Sequence, residues 1–426
     1  MARGFVIAAP RSGSGKTTLT LGLVAALRQQ GHVVRAAKTG PDYIDASILA
    51  AVSGLPAVNL DPWAMRPERL RALAQGEGEL LVVEGVMGLF DGAVDGTGST
   101  GDLAAALDLP VILVVDAEKQ AQSIAPLVAG FANWRADVRV AGVIVNRVAT
   151  QRHETMLRRA LEATGIAWLG ALPRREQLRL PERHLGLVMP QEVAAFETVV
   201  AAAAQAASDY VDIELLLALA APVANGSEET RRLAPLGQRI AVARDEAFAF
   251  LYQHLLADWR AQGADIGFFS PLADEAADAR ADAIFLPGGY PELHAARLAA
   301  ARTFAGGLVA ARERGALIYG ECGGFMVLGE SLTDKAGITH AMTGLLPVST
   351  TIDRPRRQLG YRRLAHASPL PWPQRLYGHE FHYSSATASP AAPLFAANDA
   401  LGEPQPAMGA QVGRVMGSYA HVIDGA

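Results

Sequence analysis

A single cysteine, Cys322, is all the thiol this 426-residue chain carries, so no intrachain disulfide can form and a reducing cytoplasm is the expected setting. Positive charge is also short. Lysine and arginine number 38 against 43 aspartates and glutamates, and a net charge of -5 argues against nucleic acid as the main partner. No uncharged apolar run approaches the roughly 18 to 20 residues that a spanning helix needs, so no membrane partner is expected. The apolar residues 5–9 have no basic stretch and cleavage site before them, which predicts a strand there and not a signal peptide. No internal repeat is visible. What is present is ordinary for a globular protein, 50% hydrophobic and 19% charged, and too long for one core, so two domains are expected.

Residues 4–9 read as a strand, and Pro10-Arg11-Ser12-Gly13-Ser14-Gly15-Lys16-Thr17-Thr18 leads from it into a helix running through Leu27. The run matches the phosphate loop G-x-x-x-x-G-K-[ST] with Pro10 in place of the first glycine. Its physics survives that change. Gly13 and Gly15 let backbone N–H groups face phosphates, Lys16 supplies a charge to the outer phosphates, and the Thr17 hydroxyl can ligate magnesium. Gly13, Ser14, Gly15, Lys16, Thr17 and Thr18 are therefore the expected nucleotide-binding set, with ATP and Mg2+ as cofactors.

Further strands at residues 33–37, 80–83, 111–115 and 140–145, alternating with helical stretches such as 120–134, predict an α/β fold built on a mostly parallel sheet. Ligands of such sheets lie at the carboxyl ends of the strands. Asp42 and Asp45 follow the second strand, and Glu84 and Asp91 follow the third. Magnesium takes hard oxygens, commonly one or two carboxylates with phosphate and water, so Asp42 and Glu84 join Thr17 as metal candidates. Asp45 and Asp91, a step further out, could orient substrate; a helix cap or a surface ion pair is the alternative for each of the four. Asn146, after the fifth strand, could read an adenine edge, although Asn is also a common turn residue. Arginines at 174, 175, 179 and 183, and again at 354, 356, 357, 362 and 363, suit a polyanionic small substrate or simply solvated loops.

The alanine-rich stretch 195–221 and the polar 222–229 place a domain boundary in 206–238, giving an N-terminal domain of residues 1–205 and a second α/β domain of 239–426. In the second, strands are expected at 239–243, 266–269 and 283–286, with a helix at 248–262. Residues 316–319 form another strand, then Gly320-Glu321-Cys322-Gly323-Gly324 turns sharply into an apolar helix. Gly323 and Gly324 permit the turn, and the helix N-terminus should favour thiolate over thiol, which makes Cys322 the candidate nucleophile. Gly288 and Gly289, ending an earlier strand, could supply oxyanion N–H groups, or could be a plain turn. For the base, His379, His382 and His421 are best placed. His379 and His382 with Glu380 lack a third spaced ligand for a metal.

Taken in this order, the phosphate loop, Gly-Pro-Asp-Tyr-Ile-Asp, Glu-Gly-Val-Met-Gly-Leu-Phe-Asp-Gly, the cysteine turn and Gly-His-Glu-Phe-His-Tyr make the chain resemble the corrinoid a,c-diamide synthases along nearly its whole length. The resemblance implies a dethiobiotin-synthetase-like P-loop domain joined to a class I glutamine amidotransferase domain. It implies amidation of the a and c carboxylates of hydrogenobyrinic or cobyrinic acid in vitamin B12 biosynthesis, with ammonia drawn from glutamine and acyl phosphates as intermediates. Pro10 ahead of the loop is more like the enzymes acting on metal-free hydrogenobyrinic acid. By the same resemblance Cys322 and His421 are catalytic, Asp45 and Asp91 serve carboxylate activation, and the partners are glutamine and a polycarboxylate corrinoid, with a homodimer left open. One departure stands out. Many class I amidotransferases carry a glutamate two residues after the histidine, where this chain has Ile423; Asp424 is the nearest acid, and the third member of the triad is left open. From other classes, a partition-type switch ATPase would want a lysine where Arg11 stands and has no use for Cys322. A cysteine hydrolase with a regulatory nucleotide domain would cleave amides without consuming ATP.

Overall fold

A computed structural model describes residues 3–76, 78–174, 196–226, 230–387 and 391–426. The chain divides into two units, one ending at Thr230 and the other starting at Arg231. Among the described residues no helix is long and apolar enough to cross a membrane.

In the first unit, seven strands run β1 (Arg3–Ala8), β2 (Val34–Thr39), β3 (Val58–Leu60), β4 (Leu80–Glu84), β5 (Val111–Asp116), β6 (Val140–Val148) and β7 (Ala167–Pro173). They pair in parallel in the order β3-β2-β4-β1-β5-β6-β7. The apolar runs of β1, β4 and β5 are buried almost throughout, as a parallel sheet covered on both faces requires. Each Val, Ile or Leu so buried contributes roughly 1.5–3 kcal/mol. Helix α1 (Lys16–Gln29) follows β1, and α2 (Tyr43–Ser53) follows β2. Asp42 caps α2 by accepting from Ile44 N (3.1 Å) and Asp45 N (3.0 Å).

The 206–238 stretch expected to hold the domain boundary is largely part of this first unit. Helix Phe196–Tyr210 runs past residue 205, a second helix follows at Ile213–Leu219, and β8 (Ala221–Pro222) pairs antiparallel with the start of β1. Small side chains allow the first of these helices to approach α1 closely. A methyl on Gly22 would stand 2.4 Å from Ala203 O. The boundary therefore falls at 230/231, within the expected span but after most of it.

The second unit holds a sheet of β9 (Arg239–Ala243), β10 (Asp265–Phe269), β11 (Ala283–Leu286) and β12 (Leu317–Glu321), continued by strands near the C-terminus. The expected helix at 248–262 is shorter, Gln253–Ala261, because Phe250 instead bridges to Gly288. After β12 comes α3 (Gly323–Leu328). Later strands are β13 (Gln358–Ala365), β14 (Arg375–His382), β15 (Phe395–Asn398), β16 (Pro404–Met408), β17 (Ala410–Val412), β18 (Val415–Ser418) and β19 (Ala420–Gly425). One sheet runs β10-β9-β11-β12-β18-β17; a second, antiparallel one runs β16-β15-β13-β14-β19. β18 and β19 are nearly contiguous in the chain but belong to different sheets. That crossover brings His421 to the end of β12, where Cys322 begins its turn. Phe304, Ile318, Phe325 and Leu328 are among the apolar side chains packed in this unit's core.

Candidate active sites

In the first unit the carboxyl ends of β1, β2, β4 and β6 deliver the polar residues that the sequence singles out. Gly13 (φ 77°) and Gly15 (φ 90°) both adopt left-handed backbone. At Gly15 the need for glycine is double, since a Cβ would lie 2.2 Å from Asn146 Nδ2. Asn146 is turned toward the loop and donates to Ser14 O (2.9 Å), while its Oδ1 accepts from Arg147 N (2.9 Å). Ser14 is buried and donates to Arg11 O; Thr18 is half-buried on the first turn of α1.

Lys16 Nζ donates to Met87 O at 2.6 Å, and Thr17 Oγ1 donates to Glu84 Oε1 at 2.5 Å. Met87 itself has a left-handed backbone (φ 47°). Burial, and then the neighbouring Lys38 charge, lower the Lys16 pKa to about 8. The loop after β4 packs on the phosphate loop: Leu89 N donates to Ala9 O (2.8 Å), and Asp91, exposed, accepts from Gly88 N (2.8 Å).

Behind these residues stands Lys38, a residue to which the sequence reading gave no role. Its Nζ pairs with Asp45 and lies 3.0 Å from Glu84 Oε1, with all three side chains closed from solvent. Burial lowers the Lys38 pKa, but the Asp45 and Glu84 charges outweigh it and the net shift is upward. Asp42 is pushed up to about 7, first by loss of solvation and then by Asp45, and burial likewise raises Glu84. Glu84 Oε2 and Asp45 Oδ1 are buried and have no hydrogen-bond partner among the described residues. Orphaned carboxylate oxygens beside a P-loop threonine suit a hard cation such as magnesium. The signal available in the sequence was a lysine near the end of β2, with carboxylates just after that strand and at the end of β4. Asp116 is a second residue missed: buried at the end of β5, it pairs with Arg147 (2.7 Å) and Arg11 (3.1 Å).

The second unit's centre is built on the β12–α3 turn. The left-handed residue is Cys322 itself (φ 47°, ψ -106°), a strained nucleophile elbow, and not either glycine after it. The glycines serve packing instead. A Cβ at Gly324 would stand 1.9 Å from Leu286 O, and one at Gly323 would stand 2.7 Å from Pro291 Cδ and 3.1 Å from Gly289 N. Cys322 N donates to Ser418 O (2.8 Å), which fixes the elbow to β18.

Gly288 reports what surrounds the sulfur. A methyl there would meet His421 Cε1 at 2.4 Å, His421 Nε2 at 3.0 Å and Cys322 Cβ at 3.3 Å. Of the three candidate histidines, then, His421 shares the elbow. Its ring is fully buried, and on the far side Nδ1 lies 3.6 Å from Glu321 Oε2. Glu321 Oε1 accepts from Tyr319 OH and from Val422 N, each at 3.0 Å. Asp424 Oδ1 accepts from Gly425 N (2.8 Å), so the acid beside His421 is Glu321 and not the nearest one in sequence.

The thiol expectation is corrected. Burial pushes the Cys322 pKa up, with Glu292, Glu321 and Glu380 adding to the rise; the Gly323 N–H works the other way and is outweighed. A six-residue helix does not offset that desolvation, so the thiolate depends on a base.

His379 and His382 sit on β14, where an i, i+3 pair falls on opposite faces. His379 lies opposite His421 in the β14–β19 register and is lowered to about 3, chiefly by burial and then by His421. His382 instead contacts Glu380 Oε1 (2.7 Å) and stacks on Tyr419 at 3.8 Å. Among the described residues no group of three or more His, Cys, Asp or Glu forms a metal cage. Of the arginines, Arg362 is committed to Glu380 (2.7 Å) and Arg174 to Glu118 (2.7 Å); Arg354, Arg356 and Arg357 are exposed, and Arg363 donates to Ala400 O. Arg175, Arg179 and Arg183 lie outside the described residues.

Residues 5–188 match the CobQ/CobB/MinD/ParA nucleotide binding domain family, and residues 239–425 match the CobB/CobQ-like glutamine amidotransferase domain. The chain is 54% identical to a protein of Brucella abortus biovar 1 over 99% of its own length and 98% of the relative's. It is 51% identical to one of Rhizobium meliloti and 48% identical to one of Rhodobacter capsulatus, each over 99% of both chains. All three relatives bear the name hydrogenobyrinate a,c-diamide synthase. A glutamine amidotransferase domain and a nucleotide-binding domain on one chain make a glutamine-hydrolysing amidoligase, and at this similarity along its full length the chain belongs to the hydrogenobyrinate a,c-diamide synthase family.

Proposed function

We propose that the chain uses Mg-ATP and glutamine to convert the a and c carboxylates of a corrinoid acid to amides, with hydrogenobyrinic acid the preferred substrate over cobyrinic acid. Gly13, Ser14, Gly15, Lys16, Thr17 and Thr18 take the phosphates, and Asn146 holds the loop beside the nucleotide. Thr17, Asp42 and Glu84 would hold magnesium, which when bound would neutralise charge on the outer phosphates. Asp45, anchored on Lys38, and Asp91 orient the substrate carboxylate. That carboxylate attacks the terminal phosphorus, the bond to ADP breaks, and an acyl phosphate forms. Ammonia then attacks the acyl carbon and phosphate leaves.

Ammonia comes from glutamine. His421 Nε2 takes the Cys322 proton, the thiolate attacks the side-chain amide carbon, and N–H groups of Gly288 and Gly289 stabilise the oxyanion. The proton passes from His421 to the departing ammonia, and water then hydrolyses the thioester to glutamate.

The observation that carries this reading is the convergence of Cys322, His421 and Gly288 at one elbow, in a chain whose other unit holds a phosphate loop. Full-length protein supplied with Mg-ATP and hydrogenobyrinic acid should gain two amide groups by mass, from glutamine or from ammonium. Cys322→Ala should lose only the glutamine-supported reaction. Loss of both would reject the division of labour.

A further inference from the structure

Resting on the glutaminase reading above, we propose that Glu321, the residue just before the nucleophile, positions His421 for glutamine hydrolysis. It would stand in for the glutamate that many class I amidotransferases carry two residues after the histidine, where this chain has Ile423. Three observations carry the assignment.

The carboxylate is aimed. Oε1 accepts from Tyr319 OH and Val422 N at 3.0 Å each, which leaves Oε2 facing His421 Nδ1 at 3.6 Å. Both side chains are buried, at 2% and 0% exposure, so water does not compete for the pair. The ring is oriented usefully, with Nε2 on the side of Gly288 and Cys322 and Nδ1 on the side of Glu321. A carboxylate at Nδ1 favours the tautomer whose Nε2 is free to accept a proton, and it stabilises the imidazolium once formed. A 3.6 Å separation is longer than a hydrogen bond, as catalytic contacts often are before substrate binds.

The geometry also explains why the acid can move. On the β19 strand, Ile423 O is held by His254 Nε2 (2.9 Å), while Glu321, at the end of β12, stands beside the His421 ring. An acid contributed from β12 reaches His421 from a neighbouring strand, with Val422 N on the histidine's own strand helping to aim it. Around the ring stand Glu321, Cys322, His379 across the β14–β19 pair, and Tyr252 at 6.5 Å between ring centroids. Glu321 places a carboxylate oxygen 3.6 Å from Nδ1. The proton taken from Cys322 stays on His421 until ammonia leaves; Glu321 remains a carboxylate throughout.

The test measures glutamate release from glutamine by full-length wild type, Glu321→Gln and Glu321→Asp across pH 6 to 9, with thermal unfolding of each. Glu321→Gln should lower kcat by about 10²–10³-fold, with KM for glutamine within about threefold, because the ring loses its partner and not its substrate. Glu321→Asp should recover at least about tenfold of that loss, and the acid limb of its kcat/KM profile should track the wild type while that of Glu321→Gln moves. Glu321→Gln retaining kcat within about threefold would overturn the assignment. So would equal losses in both variants accompanied by loss of the cooperative unfolding transition, which would make Glu321 a structural residue. Wild-type protein that releases no glutamate would instead overturn the glutaminase reading itself.

Discussion

Lys38 Nζ lies 3.0 Å from Glu84 Oε1 in a pocket where neither side chain meets solvent, and the same ammonium holds Asp45. One cation thus neutralises two carboxylates that the nucleotide site presents to its ligands. Removing it would leave Asp45 and Glu84 buried as like charges, and breaking such a network costs about 3–5 kcal/mol. Lys38→Met should therefore lower the first unit's unfolding free energy by that amount in denaturant titration. Added Mg2+ should raise the variant's midpoint more than the wild type's, since the ion can take over part of the lost charge. A loss under about 1 kcal/mol would show that the pair is not held as an ion network.

Gly288 admits no side chain because the His421 ring occupies the space, at 2.4 Å from where a methyl would sit. Gly288→Ala must displace the ring, the sulfur or the β11 turn, and 1 Å at a reacting centre can cost about 100-fold. Glutamate release should fall by at least that factor. Normal glutaminase from the alanine variant would mean that His421 is not the working base.

Much of this is legible in the sequence. The phosphate loop and the buried strands declare themselves by local order: apolar runs, glycines at left-handed positions, carboxylates at strand ends. The missed features all depend on partners distant in sequence. Glu321 gains its meaning from Val422 and His421, a hundred residues later, and Lys38 from Glu84. The 206–222 segment looks like part of a boundary because nothing in its sequence announces that Ala221 and Pro222 pair with the start of β1, some two hundred residues earlier. The thiol's direction was misread for a related reason. A helix start is visible in sequence, whereas the burial and carboxylates that outweigh it are not.

Acid should unfold the second unit through His379. Burial holds its folded pKa at about 3, below the ordinary 6.5, and its Nδ1 has no hydrogen-bond partner among the described residues. Between those values the unfolded chain binds the proton and the folded one does not, so stability is full above about pH 6.5 and falls as pH drops toward 3. The slope contributed is at most about 1.4 kcal/mol per pH unit. His379→Gln should flatten the dependence of the urea midpoint on pH across that window. An unchanged slope would show that the imidazole charges without unfolding the sheet.

Cys322 should be a slow thiol in the absence of glutamine, because burial and then Glu292 disfavour its thiolate. Glu292 is itself raised to about 7 by burial, so it carries its negative charge only above that pH. Glu292→Gln removes a charge that repels the thiolate, and iodoacetamide should then alkylate Cys322 several-fold faster at pH 8. Below pH 7 the wild-type carboxyl is already protonated, so the ratio of variant to wild-type rates should shrink toward one. Because Cys322 is the chain's only cysteine, mass spectrometry of the intact protein reads the rate directly. A ratio that stays flat from pH 6 to 9, or a variant slower than wild type at pH 8, would mean that Glu292 does not govern the nucleophile.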